Sequence, residues 1–105
     1  MIIEVFYRGR NYRTNAKGEF DIDTGAVTIF KGSVVSESVA QFAGAEKIRD
    51  LRKQNTNDEG VLLQDLKFDS PSSAASFVSG YSANGLITWH VEKHKTLKTY
   101  LQEME

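Results

Sequence analysis

The segment from Phe68 to Trp89 constrains the fold more than any other part of this chain. Ser70 followed by Pro71 starts a helix in the preferred way. Serine at the cap accepts a hydrogen bond from an orphan backbone N–H, and proline at the first helical position has no N–H to lose. Ala74, Ala75, Phe77 and Val78 then form a buried face, with the alanines letting the helix lie close to a sheet. Gly80 is the natural stop. Asn84-Gly85 reads as a tight turn into a strand over residues 86–91, which holds the single tryptophan, Trp89. The expected unit is helix–turn–strand, with a polar loop beside a large aromatic.

The rest of the chain reads as short strands and two more helices. Ile3, Val5 and Tyr7 alternate with Ile2, Glu4 and Phe6, which predicts a strand over residues 2–8. Arg8-Gly9-Arg10-Asn11 reads as a turn, residues 11–14 as a second strand, and Asn15-Ala16-Lys17-Gly18 as the next turn. Phe20 and Ile22 alternate with Asp21 and Asp23, and Thr24-Gly25 turns the chain into a strand over residues 26–31. Gly32 suggests a bulge or a close approach. The period then changes: Ala45, Ile48, Leu51 and Arg52 share one helical face, and the helix ends near Gln54 or Asn55. Residues 61–68 form one bulged strand or a hairpin pair. A final short helix covers residues 96–103. The expected fold class is α+β, a small antiparallel β-meander with two to three short helices packed on the sheet.

A chain of 105 residues makes one small domain, 1–105, able to bury roughly two thirds of its unfolded surface. It has no cysteine, which excludes disulfides and thiolate metal sites. No apolar run reaches the ~20 residues of a membrane-spanning helix. The first residues alternate and carry an early acid, unlike the basic-then-apolar layout of a signal peptide, so a cytoplasmic protein is expected. The net charge is −1, which argues against binding polyanions by bulk attraction alone. Arg8, Arg10, Arg13 and Lys17 nevertheless cluster near the start, whereas Glu19, Asp21, Asp23 and Glu37 follow. Such segregation permits a basic face despite the neutral total, although the same charges also suit scattered solvated side chains.

Few groupings carry chemistry. Ser70-Pro71-Ser72-Ser73 offers hydroxyls and backbone donors at a helix start, either an anion site or an ordinary cap. Ser82-Ala83-Asn84-Gly85 presents an amide that complements a base edge, or simply a turn. Trp89 suits either base stacking or the core. Lys31-Gly32-Ser33 places an ammonium beside bare backbone, without the span of a P-loop. Gly80-Tyr81-Ser82-Ala83-Asn84 lacks the last glycine of a nucleophile elbow, and its helix comes first rather than last, so a serine hydrolase is discarded. His90 and His94 diverge if His90 lies in a strand, and Asp21 and Asp23 suit a solvated edge better than a cation. No catalytic residues, metal or cofactor are expected.

The run Val27 to Ser33, the helix from Ala45 to Gln54 with Glu59-Gly60-Val61-Leu62 after it, then Phe68, Ser70 to Ala75, Gly80, Ser82 to Gly85 and Trp89 occur in a recognisable order. They resemble a domain of unknown function that recurs at the C-terminus of GIY-YIG nucleases and beside DNA methyltransferase and restriction proteins. The similarity covers residues ~20–95, with residues 1–18 as an added N-terminal strand or hairpin. It extends to the restriction-enzyme and adenine-methylase-associated (RAMA) domain, proposed to recognise DNA and modified DNA. Those domains usually place tryptophan directly after Asn-Gly, where this chain has Leu86, and arginine or a similar residue after the helix-ending glycine, where it has Tyr81.

The resemblance implies a non-enzymatic accessory module that binds nucleic acid, with DNA and a nuclease or methyltransferase as partners. Arg8, Arg10, Arg13 and Lys31 are the expected phosphate contacts, and Ser72, Ser73, Asn84 and Trp89 the expected lining of the site. A protein-interaction module is the alternative. Oligomeric state stays open.

Overall fold

In the computed structural model, residues 1–9 and 13–105 are described. The alternating start forms β1 (Ile2–Arg8), which pairs antiparallel along its whole length with β2 (Asn15–Asp21). Residues 15–18, expected as a turn, are therefore the first half of a strand. Their turn-rich composition is overridden by pairing on both sides. Gly18 is required there, because a methyl group at that position would overlap the Thr28 carbonyl of the neighbouring strand. The strand expected at residues 11–14 falls partly outside the described residues.

β3 (Val27–Ile29) extends the sheet beside β2, and β4 (Leu66–Phe68) pairs with β3. β5 (His90–Glu92) then joins the far side of β1, and β6 (Lys95–Thr96) completes the order β4-β3-β2-β1-β5-β6, antiparallel throughout. Residues 61 and 62 make only isolated bridges, to Val34 and Thr56. Gly32 sits in a two-residue turn at φ 92°.

Among the described residues, four short helices pack on this sheet: α1 (Ala45–Asn55), α2 (Pro71–Ser79), α3 (Gly85–Thr88) and α4 (Leu97–Glu103). The α+β expectation holds. At the start of α2, the Ser70 hydroxyl accepts from the Ser73 N–H, and Gly80 ends the helix at φ 82°. The core lies between the sheet and α1 and α2. It joins Val5, Phe20, Val27 and Ile29 to Ile48, Ala74, Ala75, Phe77, Val78, Trp89 and Leu97.

One charged side chain is part of that core. Arg52 on α1 is 8% exposed. Its Nε donates to the Phe77 carbonyl at 2.9 Å, Nη1 to the Ser36 carbonyl at 2.9 Å, and Nη2 to the Ser36 hydroxyl at 2.9 Å and the Val78 carbonyl at 3.1 Å. The guanidinium thus binds carbonyls at the C-terminal end of α2, where positive charge is favoured, and ties them to α1 and the loop at Ser36. Burial pulls its pKa down to about 10, so the group stays charged at neutral pH.

Candidate functional site

The residues at the start of α2 and at Asn84 do come together, but chiefly to hold each other. Ser72 Oγ accepts from the Gly85 N–H at 3.0 Å. Ser70 Oγ donates to Ser73 Oγ at 3.1 Å and accepts from the Ser73 N–H at 3.2 Å. Asn84 Oδ1 accepts from the Leu86 N–H at 3.0 Å, and its carbonyl accepts from the Thr88 hydroxyl at 2.8 Å. Asn84 is thus the cap of α3 rather than a corner of a hairpin turn, and residues 86–88 are helical rather than extended. The same Asn-Gly pair serves either purpose, since asparagine is also a favoured helix cap. Packing decides between them: Gly85 lies so close to Pro71 and Ser72 that any Cβ would overlap their backbone.

Trp89 follows α3 and is completely buried, with Nε1 donating to the Pro71 carbonyl at 3.0 Å. Its ring meets Tyr7 edge-on, with centroids 6.4 Å apart. An indole sealed in this way has no free face on which a base can stack. Ser72 and Ser73 instead border a cleft of about 510 Å³ between α1, β4 and α2, with Lys47, Ile48, Leu66 and Lys67 also on its walls.

The expected cations lie elsewhere. Side chains alternate across a strand, so Val5 and Tyr7 face the core while Glu4, Phe6 and Arg8 face the opposite side. Arg8 therefore stands on the other face of the sheet from α2 and Trp89, its guanidinium carbon 6.0 Å from the Phe6 ring centroid. Arg13 is exposed and paired with Glu37. Lys31 is exposed beside Gly32, where its backbone N–H donates to Asp65 Oδ1 at 2.8 Å. Arg10 lies outside the described residues. The expected phosphate contact Arg8 and the expected lining residues Asn84 and Trp89 therefore do not share one site.

A different constellation occupies the outer face. Register places His90 opposite Phe6, and Phe6 opposite Lys17. The Phe30 N–H donates to the Lys17 carbonyl at 2.8 Å, which extends the same row one strand further. His90, Phe6, Lys17 and Phe30 therefore run side by side across β5, β1, β2 and the end of β3. The Phe6 and His90 rings lie 5.9 Å apart at 34°. His90 Nδ1 donates to the Thr88 carbonyl at 3.0 Å, which fixes the ring's orientation and makes Nε2 the acceptor of the neutral form. Glu4, Phe6, Arg8, Asn15, Lys17 and Phe30 line a depression of about 380 Å³.

Charge on this face is divided along the strands. Arg8 and Lys17 stand towards the hairpin end, while Glu4 opposes Glu19, and Asp21 opposes Ile2, towards the other, where Lys67 continues the row of Glu19 beyond Thr28. Alternation already assigned Phe6 to a face away from Val5. The sequence did not show which residues of β2, β3 and β5 stand beside it, because register depends on where strands begin and on loop lengths.

Among the described residues, no three His, Asp or Glu side chains gather as a metal site requires, and no helix is long and apolar enough to cross a membrane. In comparison with known proteins, a family model described as Domain of unknown function (DUF4357) matches residues 6–101. No curated protein and no solved structure matches the chain.

Proposed function

This chain belongs to the DUF4357 family of domains of unknown function, and on that premise we propose that it is a non-enzymatic accessory module that binds nucleic acid through the outer face of its sheet. The observation that carries the reading is the row His90–Phe6–Lys17–Phe30 with Arg8 beside it. Aromatic rings and cations on a sheet face combine what a nucleic acid asks of a protein: charge for its phosphates and flat apolar surface for its bases. The resemblance to domains beside nucleases, DNA methyltransferases and restriction proteins supports a DNA-processing setting, with modified DNA among the ligands.

The phosphate contacts are Arg8 and Lys17, with Arg13 and Lys31 at the margins. Ser72, Ser73, Asn84 and Trp89 maintain the fold that holds the sheet, rather than lining the interface. Salt titration of binding to short DNA oligonucleotides tests the proposal. Each neutralised phosphate contributes a log–log slope of about −0.9 on duplex and about −0.7 on single strands, and Arg8→Ala lowers the slope by roughly one phosphate. Absence of binding at low salt to duplex, single-stranded and methylated DNA alike would refute it.

Exposed Tyr81, Leu86 and Ile87, on and just before α3, support a second reading, a protein-interaction module. A pull-down complex that survives nuclease treatment and high salt, and is lost in Ile87→Asp, would favour that reading over the first.

A further inference from the structure

Resting on the nucleic-acid reading above, we infer that the outer-face row is a stacking platform for unpaired bases, so that its ligand is single-stranded. Phe6 and Phe30 are large rings that belong neither to the core cluster nor to the residues packed against it. They are partly exposed on a sheet face whose neighbours Glu4, Arg8, Asn15 and Lys17 are open to solvent. With strands spaced about 4.8 Å apart, four positions in a row span roughly 14 Å, enough for successive bases to lie against successive rings. Lys17 stands between Phe6 and Phe30, placed to meet the phosphate that links two stacked bases.

The same geometry disfavours a duplex. Base edges in a double helix lie at the bottom of grooves, and readers reach them with a protruding helix, ribbon or arm. The row presents rings flush with a sheet, which can meet base faces only where bases are already splayed from a stack. Charge complementarity also sets the path of the strand. Glu19 and Asp21, with Glu4 at the border of the depression, outweigh Lys67 and disfavour phosphates towards one end of the face, whereas Arg8 and Lys17 attract them to the other. The nucleic acid therefore crosses the strands of the sheet along the row instead of following them.

The test uses the full chain and fluorescein-labelled 12-mers, namely oligo-dT, a duplex of equal length, and an abasic strand with the same phosphates. Fluorescence anisotropy at low salt should show oligo-dT bound about ten-fold more tightly than either other probe. Phe6→Leu and Phe30→Leu, which keep apolar bulk without a π face, should each weaken oligo-dT binding about ten-fold and leave abasic binding unchanged. Circular dichroism of the same variants checks that they remain folded. If the duplex or the abasic strand binds as well as oligo-dT and the leucine variants bind normally, the stacking inference fails while the broader proposal stands. If none of the probes binds at low salt, both fail together.

Discussion

Trp89 donates its indole N–H to the carbonyl of Pro71 at 3.0 Å, so the first helical residue of α2 is anchored from beneath by the residue that ends α3. Trp89→Phe should cost about 1–3 kcal/mol, because it leaves that carbonyl without its partner and opens a small void. Trp89→Ala should cost about 3–5 kcal/mol. Urea denaturation measures both. As the single tryptophan, Trp89 should emit at short wavelength and resist acrylamide quenching, and its emission should not change when nucleic acid binds the opposite face.

Gly85→Ala should destabilise by about 3 kcal/mol or more, since the added methyl overlaps the backbone of Pro71 and Ser72 rather than a movable side chain. Gly25→Ala is the control. A methyl there meets open space, so the substitution carries only the strain of φ 81°, about 1–2 kcal/mol. Equal melting-temperature losses for the two would show that close packing at Gly85 is not what selects glycine.

Arg52→Met should cost about 2–4 kcal/mol by leaving the Phe77 and Val78 carbonyls buried without their donor. Arg52→Lys should recover only part of that loss, because one ammonium cannot span Ser36 and α2 as the planar fork does. The difference between wild type and Arg52→Met should stay constant from pH 6 to 9, where the guanidinium is charged both folded and unfolded. Above about 10 the folded chain releases its proton before the unfolded chain, in which the solvated guanidinium holds its proton to higher pH. Wild-type stability relative to the variant should therefore rise with pH in that range. Chemical denaturation at stepped pH measures it.

Ser72→Ala and Asn84→Ala should each cost about 1 kcal/mol, the first by removing the acceptor for the Gly85 N–H and the second by uncapping α3. Neither should change affinity for nucleic acid, because both side chains belong to the helical side of the sheet. Arg8→Ala should do the reverse, lowering affinity with little effect on stability. A binding isotherm paired with a denaturation curve for each variant separates the two outcomes.

Much of the architecture was legible because short-range physics decided it. Alternation located β1, the Ser70-Pro71 cap and Gly80 bracketed α2, and the helical period placed Arg52 on the same face as Ile48. Two segments misled for one reason, that their local chemistry is shared by two structures. Asn84-Gly85 suits a hairpin corner and a helix cap equally well, and the hydrogen bond from Gly85 to Ser72 selects the cap. Residues 15–18 have the composition of a turn, yet β1 on one side and Ile29, Phe30 and Val34 on the other hold them extended. The expected site failed where it needed long-range information. Arg8 and Trp89 are separated by the sheet itself, and the neighbours of Phe6 follow from strand register and from β5 crossing to the far side of β1. Arg52 was on the correct face, but backbone carbonyls as its partners leave no mark in side-chain pattern.

The position of β1 between β2 and β5 also governs when the outer face exists. As the chain leaves the ribosome, β1, β2 and β3 can pair once about thirty residues have emerged, giving Phe6, Lys17 and Phe30 their places. His90 cannot take its place beside Phe6 until sixty more residues have been made and Trp89 has docked beneath Pro71. A chain cut short before His90 therefore displays an incomplete row, and the surface proposed above is whole only once β5 has paired with β1.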